Sequence, residues 1–187
     1  MKVSQLFSET TSEDVMLRDV ITLSPDDPLA TAAAVLLQQQ ITGAPVVDRG
    51  GICVGVLSVT DILDADGRVA KEQRAIAESS FWNSNLTLPA SVYAARLSEV
   101  QDKLASAPEQ PVSRFMTKDL VSVSPENTLQ TVVRFLVDTH VHRVVVLDAT
   151  QRLVGIISAT DVLAALLRAD QESGAPAFSD GGTNANT

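Results

Sequence analysis

Two short stretches of this chain put a hydroxyl and a carboxylate three residues apart: Ser58-Val59-Thr60-Asp61 and Ser158-Ala159-Thr160-Asp161. A serine at a helix start with an acidic residue three positions on can close a capping box, each side chain bonding the other's backbone N–H. The same carboxylate has a second use. Once ionised it only accepts hydrogen bonds, so two vicinal hydroxyls, both donors, are natural partners for it. The first turn of a helix also offers unpaired N–H groups and a partial positive charge, which suit phosphate. A plain helix start and a grip on a sugar phosphate are both open from residue types alone.

Cations near these turns are uneven. His142-Arg143 stands fifteen residues before Ser158, with His140 and Arg134 close in sequence, whereas the matching positions before Ser58 are Thr42-Gly43. Arginine grips phosphate through two parallel N–H bonds, and His142 adds a donor when protonated. This makes the second stretch the candidate for a phosphate end; the plainer alternative pairs Arg143 with a neighbouring carboxylate on a solvated face. Enzymatic chemistry finds little support. His140 and His142 are the only histidines, and a strand would put them on one face. No carboxylate or cysteine stands at a spacing that completes a metal site. No phosphate-binding P-loop, Gly-x-Ser-x-Gly or His-Glu-x-x-His occurs. The expectation is no catalytic activity, no metal and no resident cofactor. Cys53, the single cysteine, lies in the apolar run ICVGVLS and reads as a buried thiol, which excludes a disulfide framework.

The turns recur because everything around them recurs. Sliding the chain by one hundred positions aligns 15–63 with 115–163 without a gap, and about fifteen of roughly forty-nine positions are identical. Each copy starts with a β-prone piece, DVITLSP or DLVSVSP. A helix follows, with the apolar stripe Leu29, Ala32, Ala33, Leu36, Leu37 or Leu129, Val132, Val133, Leu136, Val137. Asp27 before Pro28 reads as its N-cap in the first copy, and Asn127 with Gln130 as a capping-box variant in the second. Two apolar runs joined by DRGG or DATQR then read as a hairpin of buried strands, and the Ser-x-Thr-Asp turn opens a second helix. The fold class expected is α+β: two β-α-β-β-α repeats packed as a pseudo-symmetric pair, with a helical insertion between them. A fifty-residue unit closes a core poorly by itself, so the copies should share one.

The expected organisation is an N-terminal lead at 1–14, repeat one at 15–63, a helical connecting segment at 64–112, repeat two at 113–168 and a disordered tail at 169–187. The connecting segment offers two amphipathic candidates, DGRVAKEQRAIAESSFW and ASVYAARLSEVQDKLASA. Its Trp82 and Tyr93 read as packing residues. The tail is small, polar and glycine-rich. With a hydrophobic fraction of 45% the chain has material for a core, and with aromatics at 4% that core is aliphatic. A net charge of -9 argues against nucleic-acid or anionic-membrane partners. The start lacks a signal-peptide core and no run reaches eighteen apolar residues, so a cytoplasmic location is expected. The stretch from Val162 to Leu167 is too apolar for a free helix, and a homodimer through the second helices of each unit is expected.

The duplicated pattern resembles a tandem pair of CBS domains, often called a Bateman module. The likeness is carried by Met16-x-x-Asp19 and Met116-x-x-Asp119, Thr22-x-Ser24-Pro25 and Ser122-x-Ser124-Pro125, and Pro45-Val46-Val47-Asp48 and Val145-Val146-Leu147-Asp148. Gly55-Val56-Leu57-Ser58 and Gly155-Ile156-Ile157-Ser158 with their Asp61 and Asp161 complete it. The resemblance implies clefts between the repeats that hold adenosine-containing ligands: AMP, ADP, ATP or S-adenosylmethionine. Backbone near Thr22 or Ser122 and near Ala44-Pro45 or Val144 would bracket adenine. Asp61 or Asp161 would accept from ribose hydroxyls. Ser58, Thr60, Ser158 and Thr160 would meet phosphate with His142 and Arg143. The implied role is regulatory: sensing such a nucleotide and modulating a partner protein that the sequence does not identify. The alternative is a ligand-free dimerisation scaffold in which both turns are only caps.

Overall fold

The computed structural model describes residues 3–65, 95, 97, 98 and 109–174. The chain begins with two short helices, α1 (Val3–Glu9) and α2 (Ser12–Val15). The first repeat then supplies α3 (Leu29–Gln38), the hairpin β1 (Gly43–Val47) and β2 (Cys53–Ser58), and α4 (Val59–Ala65). After a 3-10 turn at Val112–Arg114, the second repeat supplies β3 (Ser122–Val123), α5 (Leu129–Asp138), β4 (Arg143–Leu147), β5 (Leu153–Ser158) and α6 (Ala159–Gly174).

The hairpins are the same object twice. Gly43 pairs with Ser58 and Val46 with Gly55; Arg143 pairs with Ser158 and Val146 with Gly155. Both slip register just before the turn, at Val46/Val47 and at Val146/Leu147. The opening β piece runs parallel to the hairpin's first strand, as the β3–β4 pair in repeat two and as the single Leu23–Val46 bridge in repeat one. Each turn is built by one aspartate. Asp48 Oδ1 accepts from the N–H of Gly50 (2.8 Å) and Ile52 (2.9 Å), and Asp148 Oδ1 from those of Thr150 (2.8 Å) and Arg152 (2.9 Å). The residue at the left-handed corner is Gly51 in one and Gln151 in the other.

The helix stripes are as expected except at one edge: Leu29, Ala32, Ala33 and Leu36 are buried, as are Leu129, Val132 and Leu136, but Val137 is 54% exposed. Burying a Leu or Val side chain contributes about 1.5–3 kcal/mol, so these stripes hold the helices down. Two cap assignments are corrected. Asp27 and Asn127 turn back to accept from the N–H of Ser24 and Ser124, both at 2.8 Å, so they brace the Ser-Pro turn instead of the helix. Thr128 is the N-cap of α5, accepting from Thr131 N–H at 3.4 Å.

The leads cross over. Leu6, Phe7, Val15 and Met16 pack into the core of repeat two, while Val112, Phe115 and Met116 pack into the core of repeat one. Backbone bonds fix the exchange: Leu17 and Ile156 trade two (2.9 and 3.0 Å), and Val56 and Thr117 trade two (both 2.9 Å). The first N–H of α3 donates to Gln110 O and that of α5 to Thr10 O, each at 2.8 Å, so each lead satisfies an orphan donor of the other repeat's helix. Cys53, Val145 and Leu147 form a third apolar cluster, with Val56, Leu120 and Leu153 against it. Cys53 is buried, and burial pushes its thiol up from the ordinary 9.0, although Gly55 O at 3.6 Å pulls slightly the other way.

Residues 169–174, expected in the tail, are helical. α6 continues through them because α1 and α2 pack along it and Ala169 meets the core. The rest of the tail and both candidate helices of the connecting segment fall outside the described residues, apart from Ala95, Leu97 and Ser98, which are helical, with Leu97 buried in the core of repeat one. Trp82 and Tyr93 also lie outside them. Among the described residues, no helix is long and apolar enough to cross a membrane.

Candidate functional site

Both Ser-x-Thr-Asp turns close as capping boxes, with matching geometry. Asp61 Oδ2 accepts from Ser58 N–H at 2.7 Å and Ser58 Oγ at 2.6 Å, and Ser58 Oγ accepts from Asp61 N–H at 3.3 Å. Asp161 and Ser158 repeat these three bonds at 2.7, 2.6 and 3.3 Å. Only one carboxylate oxygen is used in each. Among the described residues Oδ1 of Asp61 and of Asp161 has no hydrogen-bond partner, so a cap and a bound diol draw on different lone pairs of the same group.

A cleft of about 390 Å³ opens between the repeats beside Asp61. One wall is Thr42–Pro45 with Ser58 and Asp61. The other is His140–Val145, and the floor comes from Val56, Ile156 and the crossing lead from Thr117 to Val121. Strand order explains the layout. Because Gly43 pairs with Ser58, the start of β1 lies beside the capped turn, and Val59 N–H donates to Thr42 O at 2.9 Å. Arg143 opens β4 and reaches over the gap, its Nη1 donating to Thr42 Oγ1 at 3.2 Å. Among the described residues it forms no ion pair, so the carboxylate partner considered for it is not what holds it.

His140 reaches the cleft by a local device. It follows the last turn of α5 in the left-handed region at φ 58°, the conformation that ends helices, and its Nδ1 lies 2.7 Å from Val137 O. It and His142 both precede β4, which starts at Arg143, so the two histidines do not share a strand face. Among the described residues no three His, Cys, Asp or Glu side chains gather as a metal site.

Of the expected site residues, the cleft gathers Ala44, Pro45, Ser58, Asp61, His142, Arg143 and Val144. It does not gather Thr22, Thr60, Ser122, Ser158, Thr160 or Asp161. Thr22, Thr60 and Thr160 are exposed elsewhere, Ser122 sits in β3, and Ser158–Asp161 form the second cap. The residue-level reading missed Thr42, Thr117, Leu120 and Val121. Thr117–Val121 follows the Met116-x-x-Asp119 landmark, and it enters the cleft because the lead crosses to Val56.

The family model of the CBS domain matches residues 12–68 and 112–168. The chloroplastic CBS domain-containing protein CBSX2 of Arabidopsis thaliana is 26% identical over 151 residues. These cover 81% of this chain and 60% of that protein, so the chain spans less than two thirds of its length. The crystal structure of CBSX2 in complex with AMP has a TM-score of 0.62 at 23% identity, covering 86% of this chain and 98% of that one. The CBS domain pair of protein MJ0100, solved with 5'-methylthioadenosine and S-adenosyl-L-methionine, has a TM-score of 0.57 at 18% identity and covers 86% and 98%. These structures share the fold, two β-α-β-β-α repeats closed on each other. The chain belongs to the CBS domain family, as a tandem pair.

Proposed function

We propose that this chain is a regulatory module that binds an adenosine-containing nucleotide in the cleft at Asp61 and passes its occupancy to a partner protein. The observation that carries the reading is a carboxylate with one oxygen left over from its cap, lining the same cleft as a guanidinium from the other repeat. The ligands of CBSX2 and MJ0100 support the same chemistry. An occupant would touch both repeats, so it shifts their arrangement only by the difference in its affinity for the two states. No chemical step is part of this role, and a cytoplasmic location belongs to the same reading.

Calorimetry and melting curves with AMP, ADP, ATP and S-adenosylmethionine test it. A ligand at one hundred times its Kd stabilises by about 2.7 kcal/mol, or a Tm rise of about 5–10 °C for a chain of this size. Asp61→Ala should abolish that rise. Absence of heat and of any melting shift with all four ligands overturns the proposal.

A second reading has an observation of its own. Both caps are complete without a ligand, and Leu163 and Leu167 are 59% and 65% exposed on α6. That favours a scaffold that dimerises through its second helices. On this reading Asp61→Ala and Asp161→Ala each lower stability by about 0.5–2 kcal/mol and change no ligand response.

A further inference from the structure

We infer that the joint where Met116 sits on Gly55 is an oxidation-sensitive catch: a peroxide that converts the Met116 thioether to its sulfoxide frees the crossing lead and weakens ligand binding at the Asp61 cleft. The ligand half rests on the adenosine reading of the cleft given above. The loosening of the joint stands without it.

Both crossing leads are held by the same pair of residue types. Met16 packs in the core of repeat two and Met116 in that of repeat one, and each covers a buried glycine of the hairpin it crosses to. Neither glycine has room for a side chain. A Cβ on Gly55 would stand 2.7 Å from Met116 Sδ, and one on Gly155 would stand 2.6 Å from Met16 Sδ. The next residue of each lead closes a backbone pair with the next residue of the strand, Thr117 with Val56 and Leu17 with Ile156. Val56, Ile156, Thr117, Leu120 and Val121 all line the cleft. The sulfur of Met116 therefore holds down the piece of chain that becomes the cleft floor.

Both methionines are only half-buried, so a small oxidant reaches them from solvent. The sulfur donates a lone pair to one oxygen of hydrogen peroxide; the O–O bond breaks, an S–O bond forms and the other oxygen leaves as water. The sulfur loses two electrons and the peroxide gains them. The product replaces an apolar, adaptable thioether with a polar acceptor. At Met116 that acceptor is badly placed. Thr117 O stands 2.9 Å from the same Cβ position on Gly55, so the new oxygen comes beside a carbonyl oxygen, acceptor against acceptor, in a space already filled by sulfur. The Thr117 carbonyl is bonded to the Val56 N–H at 2.9 Å, and breaking that pair is the way to make room. At Gly155 the three nearest atoms all belong to Met16, and no backbone oxygen is among them. A sulfoxide there can swing aside, which makes Met16 the internal comparison for Met116.

The test treats the full chain with dilute hydrogen peroxide, maps the sulfoxides by peptide mass spectrometry, and follows melting and AMP calorimetry before and after. Sulfoxide at Met116 should lower Tm by about 2–10 °C and weaken AMP by about fivefold or more. Met116→Leu removes the sulfur at nearly constant volume, and should keep its Tm and AMP affinity through the same treatment. Met16→Leu should lose both, as the unaltered protein does. Methionine sulfoxide reductase should restore the oxidised protein, which separates this joint from irreversible damage elsewhere. A Met116 that stays unoxidised in the folded protein while it reacts in urea overturns the inference. So does a Met116 sulfoxide that leaves Tm unchanged, or a Met116→Leu protein that loses as much as its parent. A lowered Tm with AMP affinity unchanged overturns the link to the cleft. Untreated protein that binds no AMP counts against the adenosine reading alone, and the joint is then decided by Tm.

Discussion

Gly55 and Gly155 occupy equivalent strand positions under the crossed leads, yet replacing them with alanine should have different consequences. Neither needs a left-handed backbone, so alanine is tolerated by φ at both and would stabilise by about 0.4–1 kcal/mol through the unfolded chain if space allowed. Space is the difficulty. At Gly55 a Cβ meets Met116 Sδ at 2.7 Å, Thr117 O at 2.9 Å and Met116 Cγ at 3.0 Å. Thr117 is backbone locked to Val56 by two hydrogen bonds of 2.9 Å, so relief means breaking that pair. At Gly155 the three nearest atoms all belong to Met16: Sδ at 2.6 Å, Cγ at 2.8 Å and Cβ at 3.0 Å. Sδ and Cγ belong to a flexible side chain that can turn aside, which leaves only the tight 3.0 Å contact with the fixed Cβ. Overpacking costs about 1–3 kcal/mol. Setting the entropic gain against it leaves Gly55→Ala destabilised by about 1–2 kcal/mol, or about 2–8 °C in Tm, and Gly155→Ala by less than about 1 kcal/mol. The diagnostic measurement is a pair of double-substitution cycles by urea unfolding. Met16→Ala should relieve Gly155→Ala, with a coupling of about 0.5–3 kcal/mol, while Met116→Ala should leave much of the Gly55→Ala penalty in place. Equal relief at both sites, or a Gly55→Ala protein as stable as the parent, would refute the claim that the crossing backbone is pinned.

Three further outcomes are expected. Asp148 has its carboxyl held below the ordinary 3.8, first by the Arg152 backbone N–H and then by the Thr150 hydroxyl. A lowered folded-state value gives stability that is present above the unfolded value and is lost as pH falls through the folded one. Tm should therefore decline below about pH 4, and less steeply in Asp148→Asn, as followed by calorimetry across that range. Cys53 should resist alkylation in the native protein and react readily in urea, measured by mass spectrometry, because its thiol is buried and raised. Leu163→Glu with Leu167→Glu should convert a dimer to a monomer in light scattering at micromolar concentration; a parent protein that is already monomeric removes the basis for that expectation.

The repeat was legible because duplication doubles every weak signal. The hairpin turns at Asp48 and Asp148, the buried stripes of α3 and α5 and the two capping boxes all follow from local residue types. The helix caps of α3 and α5 were misread because Asp27 and Asn127 have a nearer donor in the Ser-Pro turn, a competition between two local bonds that composition does not rank. The crossing of the leads was not legible. It depends on Met16 and Met116 fitting glycines 139 and 61 residues away in the chain — Gly155 and Gly55 — and no periodicity records a partner at that range. The same blindness hid Thr117–Val121 from the cleft and split the expected site residues between two places. His142 and Arg143 were found from charge alone, but their meeting with Asp61 comes from the pairing of the repeats.

The crossed leads also bear on how the chain comes into being. During synthesis Leu6 and Met16 emerge long before the hairpin that receives them, which is complete only after Ser158 has been made. Repeat one emerges without Val112, Phe115 and Met116, the wedge that closes its core. Neither half is then a finished folding unit on the ribosome, and the contacts that finish both span most of the chain. Long loops of this kind must close before they are rewarded, which slows folding and leaves apolar strands uncovered in the meantime. A nascent chain of this topology can seal repeat one only once residues 112–116 are out, and repeat two only once Ser158 is.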